Sequence, residues 1–373
     1  MAKIAFIDVT ATNSYGGIQT ALWCLAEVIA SKGHEVTVIG GEGEGRHDHP
    51  DGVRRLAFPY IARNRFPNFG NRFRKLAERL SFAYHARRSV RDERFDWIIL
   101  TKPFDFFWPR IMGKSSPTRF AFMSGGTDFV FLDRYFARDI DAWLACSHFN
   151  AWQIKSRYRH FPKVMFNGVD TAVFKPADGS ILRGKFGLKK DDLVLAYAGR
   201  MVGWKGLAYA VEAIASPELV GIPVKLLLVG NGSSVSTLQA QAQKLGVADR
   251  IVFHPAVPHQ SLPGIYATSD IGIFPSVADE AFGITIAEAM SCGKPVIASH
   301  IGGIPEVVGN EGNCGILVPP GSAVALARAI RKLVDSPQTR QQMGDASRIR
   351  IKHLFTWEKA AQRLLYALDL SCD

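Results

Sequence analysis

Cysteine is scarce in this chain: there are five in 373 residues, at positions 24, 146, 292, 314 and 372, and no Cys-x-x-Cys pair. An odd number at scattered spacing argues against a disulfide framework and against a structural zinc, and it fits a reducing compartment. Long apolar runs are missing as well. No stretch reaches the ~18–20 residues a membrane span requires. The amino terminus, MAKIAFIDVT, reads as a strand containing an aspartate rather than as the apolar core of a signal peptide. Repeats and low-complexity tracts are also lacking. These absences predict a cytoplasmic globular protein. What is present agrees: 47% hydrophobic and 21% charged residues are ordinary for a soluble enzyme. The length exceeds one comfortable hydrophobic core, so two domains are expected.

The formal net charge is +11, and it is unevenly spread. Residues 1–170 carry 25 Lys and Arg against 17 Asp and Glu, whereas the remaining 203 carry 20 against 17. Residues 54–94 alone hold 12 basic and 3 acidic side chains, interleaved with Phe58, Tyr60, Phe66, Phe69, Phe73, Phe82 and Tyr84. From Asn71 onward the spacing of Phe73, Leu76, Leu80, Ala83 and Tyr84 predicts a helix. Three readings compete: an anionic membrane surface, a nucleic-acid backbone, or a solvated helix with its aromatics turned to the core. The membrane surface is preferred, and no nucleic acid is expected.

In chain order, residues 3–7 read as a strand, Asn13 to Gly17 as a loop, residues 18–31 as a helix and residues 34–40 as a second strand. The turn Gly16-Gly17 would let backbone approach a phosphate or an acceptor, or is a plain tight turn. His47 and His49 flank Asp48 on a polar loop and read as solvated rather than as metal ligands. Residues 95–100 and 118–123 are further strands, the second running into Ser124-Gly125-Gly126-Thr127-Asp128. Asp139 and Asp141 have the spacing of a metal-holding Asp-x-Asp motif, but they precede the strand at 143–146 and read as a helix-surface pair. A linker near Lys175-Pro176 opens a second α/β series, with Gly199-Arg200, Lys205-Gly206 and Gly230-Asn231-Gly232 at strand ends. The tail is expected to be helical over 323–334 and 357–370.

The stretch that organises the rest is IFPSVADEAFGITIAEAMSCGKPVIASHIGGIPEVV, residues 273–308. A buried strand stops at Pro275-Ser276, an acidic loop follows, and a helix runs from Ile284 to Met290. In a parallel α/β sheet, ligands bind where strands end and helices begin. A helix amino terminus suits a phosphate, and Glu280 and Glu288 suit hydroxyls. Arg200 and Lys205, at a neighbouring strand-to-helix turn, are placed to meet a diphosphate.

Taken together these motifs resemble the retaining glycosyltransferases of family 4, which have the GT-B architecture, and among them bacterial lipopolysaccharide-core and surface-polysaccharide enzymes. The residues that carry the resemblance are Gly16-Gly17; Asn167-Gly168-Val169-Asp170 with Phe174 and Pro176; Gly199-Arg200; Lys205-Gly206; and Gly230-Asn231-Gly232. Further along come Pro275-Ser276, Glu280-x7-Glu288 with Phe282-Gly283, Gly293-x-Pro295-Val296, Gly302-Gly303 and Pro305-Glu306.

The resemblance implies an α/β fold of two facing Rossmann-like domains with parallel sheets and an inter-domain cleft. Residues 1–168 would bind the acceptor and 169–354 the nucleotide sugar, with a helix at 355–373 crossing back to the first domain. It implies that Glu280 holds donor-sugar hydroxyls and Glu288 the ribose. Arg200, Lys205 and the N–H groups of Phe282, Gly283, Ile284 and Thr285 would meet the diphosphate, with Gly16, Gly17, Gly199 and Gly230 at the donor. Val257 would touch the base through its backbone. Many members have a histidine near where this chain has Ser124, which leaves Asp128 as the nearest ionisable candidate for acceptor positioning.

The expected reaction is retaining, metal-independent and cofactor-free transfer of a hexose, from a UDP-sugar first of all, to a membrane-associated glycan such as lipopolysaccharide core or a lipid-linked oligosaccharide. The expected location is cytoplasmic, peripheral at the inner membrane face. Transfer to a soluble small molecule is the alternative. A basic nucleic-acid-binding protein is the alternative of a different class, and a nucleotide-sugar epimerase is set aside because the Glu280-to-Glu288 spacing argues for transfer.

Overall fold

The computed structural model describes residues 1–14, 16–43, 50–113, 116–126 and 132–371. The chain forms two compact units: residues 1–167 together with 357–373, and residues 168–356.

The first unit is built on a seven-stranded parallel sheet of β1 (Lys3–Ile7), β2 (Glu35–Gly41), β3 (Val53–Phe58), β4 (Trp97–Leu100), β5 (Arg119–Ser124), β6 (Ala142–Ala145) and β7 (Lys163–Val164). The spatial order is β3-β2-β1-β4-β5-β6-β7. Its central strands are apolar on both faces, as a sheet covered by helices on each side requires. On one face the Gly17–Ser31 helix packs with the Trp357–Ala367 helix in a core that includes Trp23, Ile29, Leu364 and Leu365. On the other, the Asn71–Asp92 helix contributes Phe82, Ala83, Ala86 and Val90 to a core with Phe106, Trp108 and Trp143.

The second unit has a six-stranded parallel sheet of β8 (Leu193–Ala198), β9 (Val224–Val229), β10 (Ile251–His254), β11 (Ile271–Phe274), β12 (Val296–Ser299) and β13 (Gly315–Val318), in the order β10-β9-β8-β11-β12-β13. Each sheet is Rossmann-like, with the unit's first strand at the centre. The order reverses beside that strand, between β1 and β4 and between β8 and β11, where connections leave in opposite directions and open a crevice at the strands' carboxyl ends.

Three expectations change. Residues 53–58, read as the start of a basic aromatic stretch, form the edge strand β3, and Phe58, Tyr60, Phe66 and Phe82 turn partly or wholly inward. The exposed apolar part reduces to Ile61, Phe69, Phe73, Leu80 and Tyr84, among exposed arginines that include Arg65, Arg72 and Arg88. Second, an 18-residue helix, Pro337–Leu354, stands where the sequence reading placed none, because its polar composition hides the period of its few buried residues, Met343, Gly344, Ser347 and Ile351. Third, Asp139 and Asp141 are not a helix-surface pair. Asp139 ends a 3₁₀ turn and accepts from Arg110 Nε at 2.7 Å, while Asp141 accepts from the Phe120 N–H at 2.8 Å. The loop with His47 and His49 lies outside the described residues. Among the described residues no helix is long and apolar enough to cross a membrane.

Candidate functional site

In the second unit the carboxyl ends of β8, β9, β10 and β11 are stitched together by their loops. The Met201 N–H donates to Asn231 O at 2.9 Å, the Gly230 N–H to His254 O at 2.9 Å, and the Ala256 N–H to Asn231 Oδ1 at 3.3 Å. The loops lie close enough that several positions have no room for a Cβ, and two of these also have positive φ. Gly206 has φ +67°, and a Cβ there would sit 1.9 Å from Pro275 O; Gly230 has φ +148°, and a Cβ there would sit 1.9 Å from Gly199 O. Glycine at these points lets the loop after β8 touch the loops after β9 and β11.

That approach brings Lys205 to Glu280. Lys205 Nζ lies 2.5 Å from Glu280 Oε2, with both side chains largely buried. The Trp204 ring runs under both cations of the turn, with Lys205 Nζ 4.3 Å and Arg200 Cζ 5.9 Å from its centroid. The Val277 N–H donates to Trp204 O at 2.9 Å, and the Tyr197 hydroxyl to Arg200 O at 2.9 Å. Burial, then the negative charge of Glu280, pushes the Tyr197 phenol well up, so it remains a neutral donor. Glu280 is held through its backbone, its carbonyl accepting from the Gly303 N–H at 2.7 Å.

Gly283, at φ +94°, turns the chain into the Ile284–Ser291 helix, whose first N–H groups have no intrahelical acceptor. One turn on, Glu288 is 2% exposed. Its Oε1 lies 2.6 Å from His259 Nε2, and its Oε2 is buried with no hydrogen-bond partner among the described residues. Burial raises the Glu288 carboxyl and the His259 contact opposes that rise. Val257 is half-buried, two residues before His259 on the same loop.

Arg200, Lys205, Gly199, Gly230, Val257, Glu280, Phe282, Gly283, Ile284, Thr285 and Glu288 thus all belong to the second unit, at or beside the carboxyl ends of its strands. Gly16 and Gly17 belong to the first unit, at the start of the Gly17–Ser31 helix. Asp128 lies outside the described residues. Ser124 ends β5, its hydroxyl donating to Gly126 O at 3.0 Å.

The first unit also buries a cluster not foreseen from sequence. At the end of β1, Asp8 receives Arg79 Nη2 at 3.2 Å and the Thr10 N–H at 2.9 Å, and Arg79 Nη1 bonds Asp105 as well. All three charged side chains are buried. Burial alone would raise Asp8, but Arg79, Thr101 and Thr10 outweigh it and hold the carboxyl at about 2. Asp105, for which burial wins over Arg79, is pushed up to about 7. Among the described residues no group of three or more His, Cys, Asp or Glu is placed to hold a metal ion.

Two Rossmann-like sheets, with cations, glycines and carboxylates at the strand ends of the second, define an α/β protein of the GT-B class. Residues 15–173 match Glycosyltransferase Family 4 and residues 179–350 match Glycosyl transferases group 1, so that each unit carries its own glycosyltransferase domain match. The D-inositol 3-phosphate glycosyltransferase of Segniliparus rotundus is 34% identical over 204 residues, 53% of this chain and 44% of that protein. Alignments of this kind take in about half the length of the curated relatives. Sucrose-phosphate synthase of Thermosynechococcus elongatus superposes with a TM-score of 0.81 at 22% identity, covering 99% of this chain and 98% of that one. Anabaena HepE in complex with UDP-glucose superposes at 0.80 and 23% identity, covering 99% and 100%. At such identities the likeness is one of fold.

Proposed function

We propose that the chain transfers a hexose from a nucleotide sugar, a UDP-sugar first of all, to an acceptor hydroxyl, retaining the anomeric configuration and using no metal. The observation that carries this reading is the Arg200–Trp204–Lys205 turn packed against Glu280, beside a helix start and the buried Glu288. Two cations and the amino end of a helix supply, without a metal, the charge that a departing diphosphate needs. The acceptor oxygen bonds to the anomeric carbon on the face from which the sugar–phosphate bond breaks, and the diphosphate leaves with the bonding pair and the acceptor's proton. Glu280 accepts from donor-sugar hydroxyls and, through its ion pair, fixes Lys205; Glu288 accepts from the ribose.

Lys205→Ala should lower the transfer rate ~10²–10³-fold, the scale seen when one preorganised donor to a developing oxyanion is removed. Glu280→Ala should act at least as strongly, with circular dichroism and melting temperature little changed. Full activity in both variants would refute the assignment.

For the acceptor, the preferred reading is a glycan at an anionic membrane surface, with residues 1–168 as the acceptor-binding domain. It is supported by Phe69, Phe73, Leu80 and Tyr84, exposed among arginines on one helix and the loop before it. Flotation with vesicles containing anionic lipid should carry the protein, and neutral vesicles should not; equal, negligible binding to both would remove this part. The names of the curated relatives favour a second reading, a soluble phosphorylated polyol, which an acceptor assay with inositol phosphate tests directly.

A further inference from the structure

The proposed donor site contains two acid–base pairs. Lys205 with Glu280 is absorbed by the reading above. The pair of His259 with Glu288 is not, and nothing in the sequence pattern assigns His259. Its ring is placed by two contacts. Nε2 is 2.6 Å from Glu288 Oε1, the ring packs tilted at 53° against Phe174 with 5.1 Å between centroids, and the side chain is 42% exposed on the loop that follows β10. Phe174 is itself fixed: it is 2% exposed, and its carbonyl accepts from Ser291 Oγ at 2.6 Å and from Arg348 Nη1 at 3.0 Å. The imidazole therefore stands between a rigid aromatic wall and a buried carboxylate. It commits one oxygen of that carboxylate and leaves Oε2 buried without a partner among the described residues. A buried carboxylate oxygen in that condition is costly unless something fills it.

We infer that His259 is a positioning residue for nucleotide binding: it donates from Nε2 to Glu288 Oε1 and so fixes that carboxylate with Oε2 presented to a ribose hydroxyl. The inference rests on the reading of the second unit as a nucleotide-sugar site. Both the imidazolium and the Nε2–H tautomer of the neutral ring donate to the carboxylate, so the contact survives the ring's own titration. The other titratable groups near Glu288 do not compete. Tyr266, on the Leu262–Ala267 helix, has its phenol pushed up by burial and donates to Thr285 O at 3.1 Å. Burial likewise pushes the Cys292 thiol up to about 12. Arg348, on the Pro337–Leu354 helix, is occupied by the carbonyls of Phe174 and Ser291. Without His259, burial alone acts on Glu288, and a carboxyl that takes up a proton becomes a poorer acceptor for the ribose.

The test is calorimetric titration of UDP, GDP and ADP into the wild-type protein and into His259→Ala and His259→Gln, from pH 5.5 to 8.5. It is repeated with the 2′- and 3′-deoxy forms of whichever nucleotide binds. The expected result is an affinity for the ribonucleotide about tenfold weaker in His259→Ala, the scale of one hydrogen bond to a charged group. Little change is expected for the deoxy form that the wild type already disfavours. The loss of affinity on acidification should begin at higher pH in His259→Ala, and His259→Gln, which keeps a side-chain N–H, should recover most of the binding. A purely structural role would weaken ribo- and deoxynucleotides alike. If the wild type binds and His259→Ala matches it in affinity, deoxy discrimination and pH profile, this inference is overturned and the donor-site reading stands. If the wild type binds none of the three nucleotides, both are overturned.

Discussion

Lys205 and Glu280 neutralise one another before any ligand arrives, which keeps two mostly buried charges from standing unpaired. In the proposed function a diphosphate would share an ammonium already engaged, while Arg200, exposed at the same turn, would be the cation open to it. The buried Asp8–Arg79–Asp105 cluster follows the same logic with one carboxylate too many for its cation. Folding raises the Asp105 carboxyl from its ordinary 3.8 to about 7. A group raised on folding stabilises fully below its unfolded value, and that contribution is lost as pH rises through the folded value. Wild-type stability should accordingly lose this contribution between about pH 4 and pH 7, and Asp105→Asn, which has no proton to release, should not. The melting temperature of Asp105→Asn relative to wild type should be higher at pH 8 than at pH 5; parallel profiles would contradict the assignment.

These residue-scale features differ in how far sequence exposed them. Glu280, Glu288, Arg200 and Lys205 were legible because each stands at a strand-end motif. Arg79 was not, since a buried arginine in a run of twelve basic residues has the same letter as its solvated neighbours. Nor was His259, whose partner lies 29 positions away.

Among elements, the loops after β8, β9 and β11 carry the proposed chemistry, and their contact depends on missing Cβ atoms, those of Gly206 and Gly230 above all. Gly206→Ala and Gly230→Ala each combine a left-handed backbone with a clash against a carbonyl oxygen. Each should cost roughly 1–3 kcal/mol of stability, the scale of a strained backbone position, and should weaken nucleotide binding by displacing Lys205. Gly203→Ala, three residues from Gly206, meets nothing within 4 Å and should behave as wild type in both assays. If thermal melts and titrations rank all three alike, the close approach of the loops is not what holds the site. The parallel strands were readable as apolar runs ending in glycine. The edge strand β3 was not, because Val-Arg-Arg-Leu-Ala-Phe alternates only partly and its arginines drew it into the basic stretch that follows. Once β3 is removed, that stretch offers a smaller exposed apolar surface, and the vesicle experiment tests what remains of it.

At the scale of the molecule, two sheets of the same order divide the chain, and the last helix, Trp357–Ala367, returns to the first unit to cover the Gly17–Ser31 helix. The excess positive charge is confined mainly to residues 1–170, while the second unit, more nearly balanced, concentrates a few charges at its strand ends. That division is the one the proposed function asks for, with donor contacts in the second unit and acceptor choice in the first. The central claim is that the second unit binds and activates a nucleotide sugar. The most direct measurement is turnover of UDP-, GDP- and ADP-hexoses by the wild-type protein and by Lys205→Ala, read as released nucleoside diphosphate. The account predicts turnover of one donor class, UDP-hexose first, in magnesium-free buffer containing a chelator, and its near-complete loss in Lys205→Ala. No turnover of any donor by the wild type, or equal turnover by the variant, would contradict it.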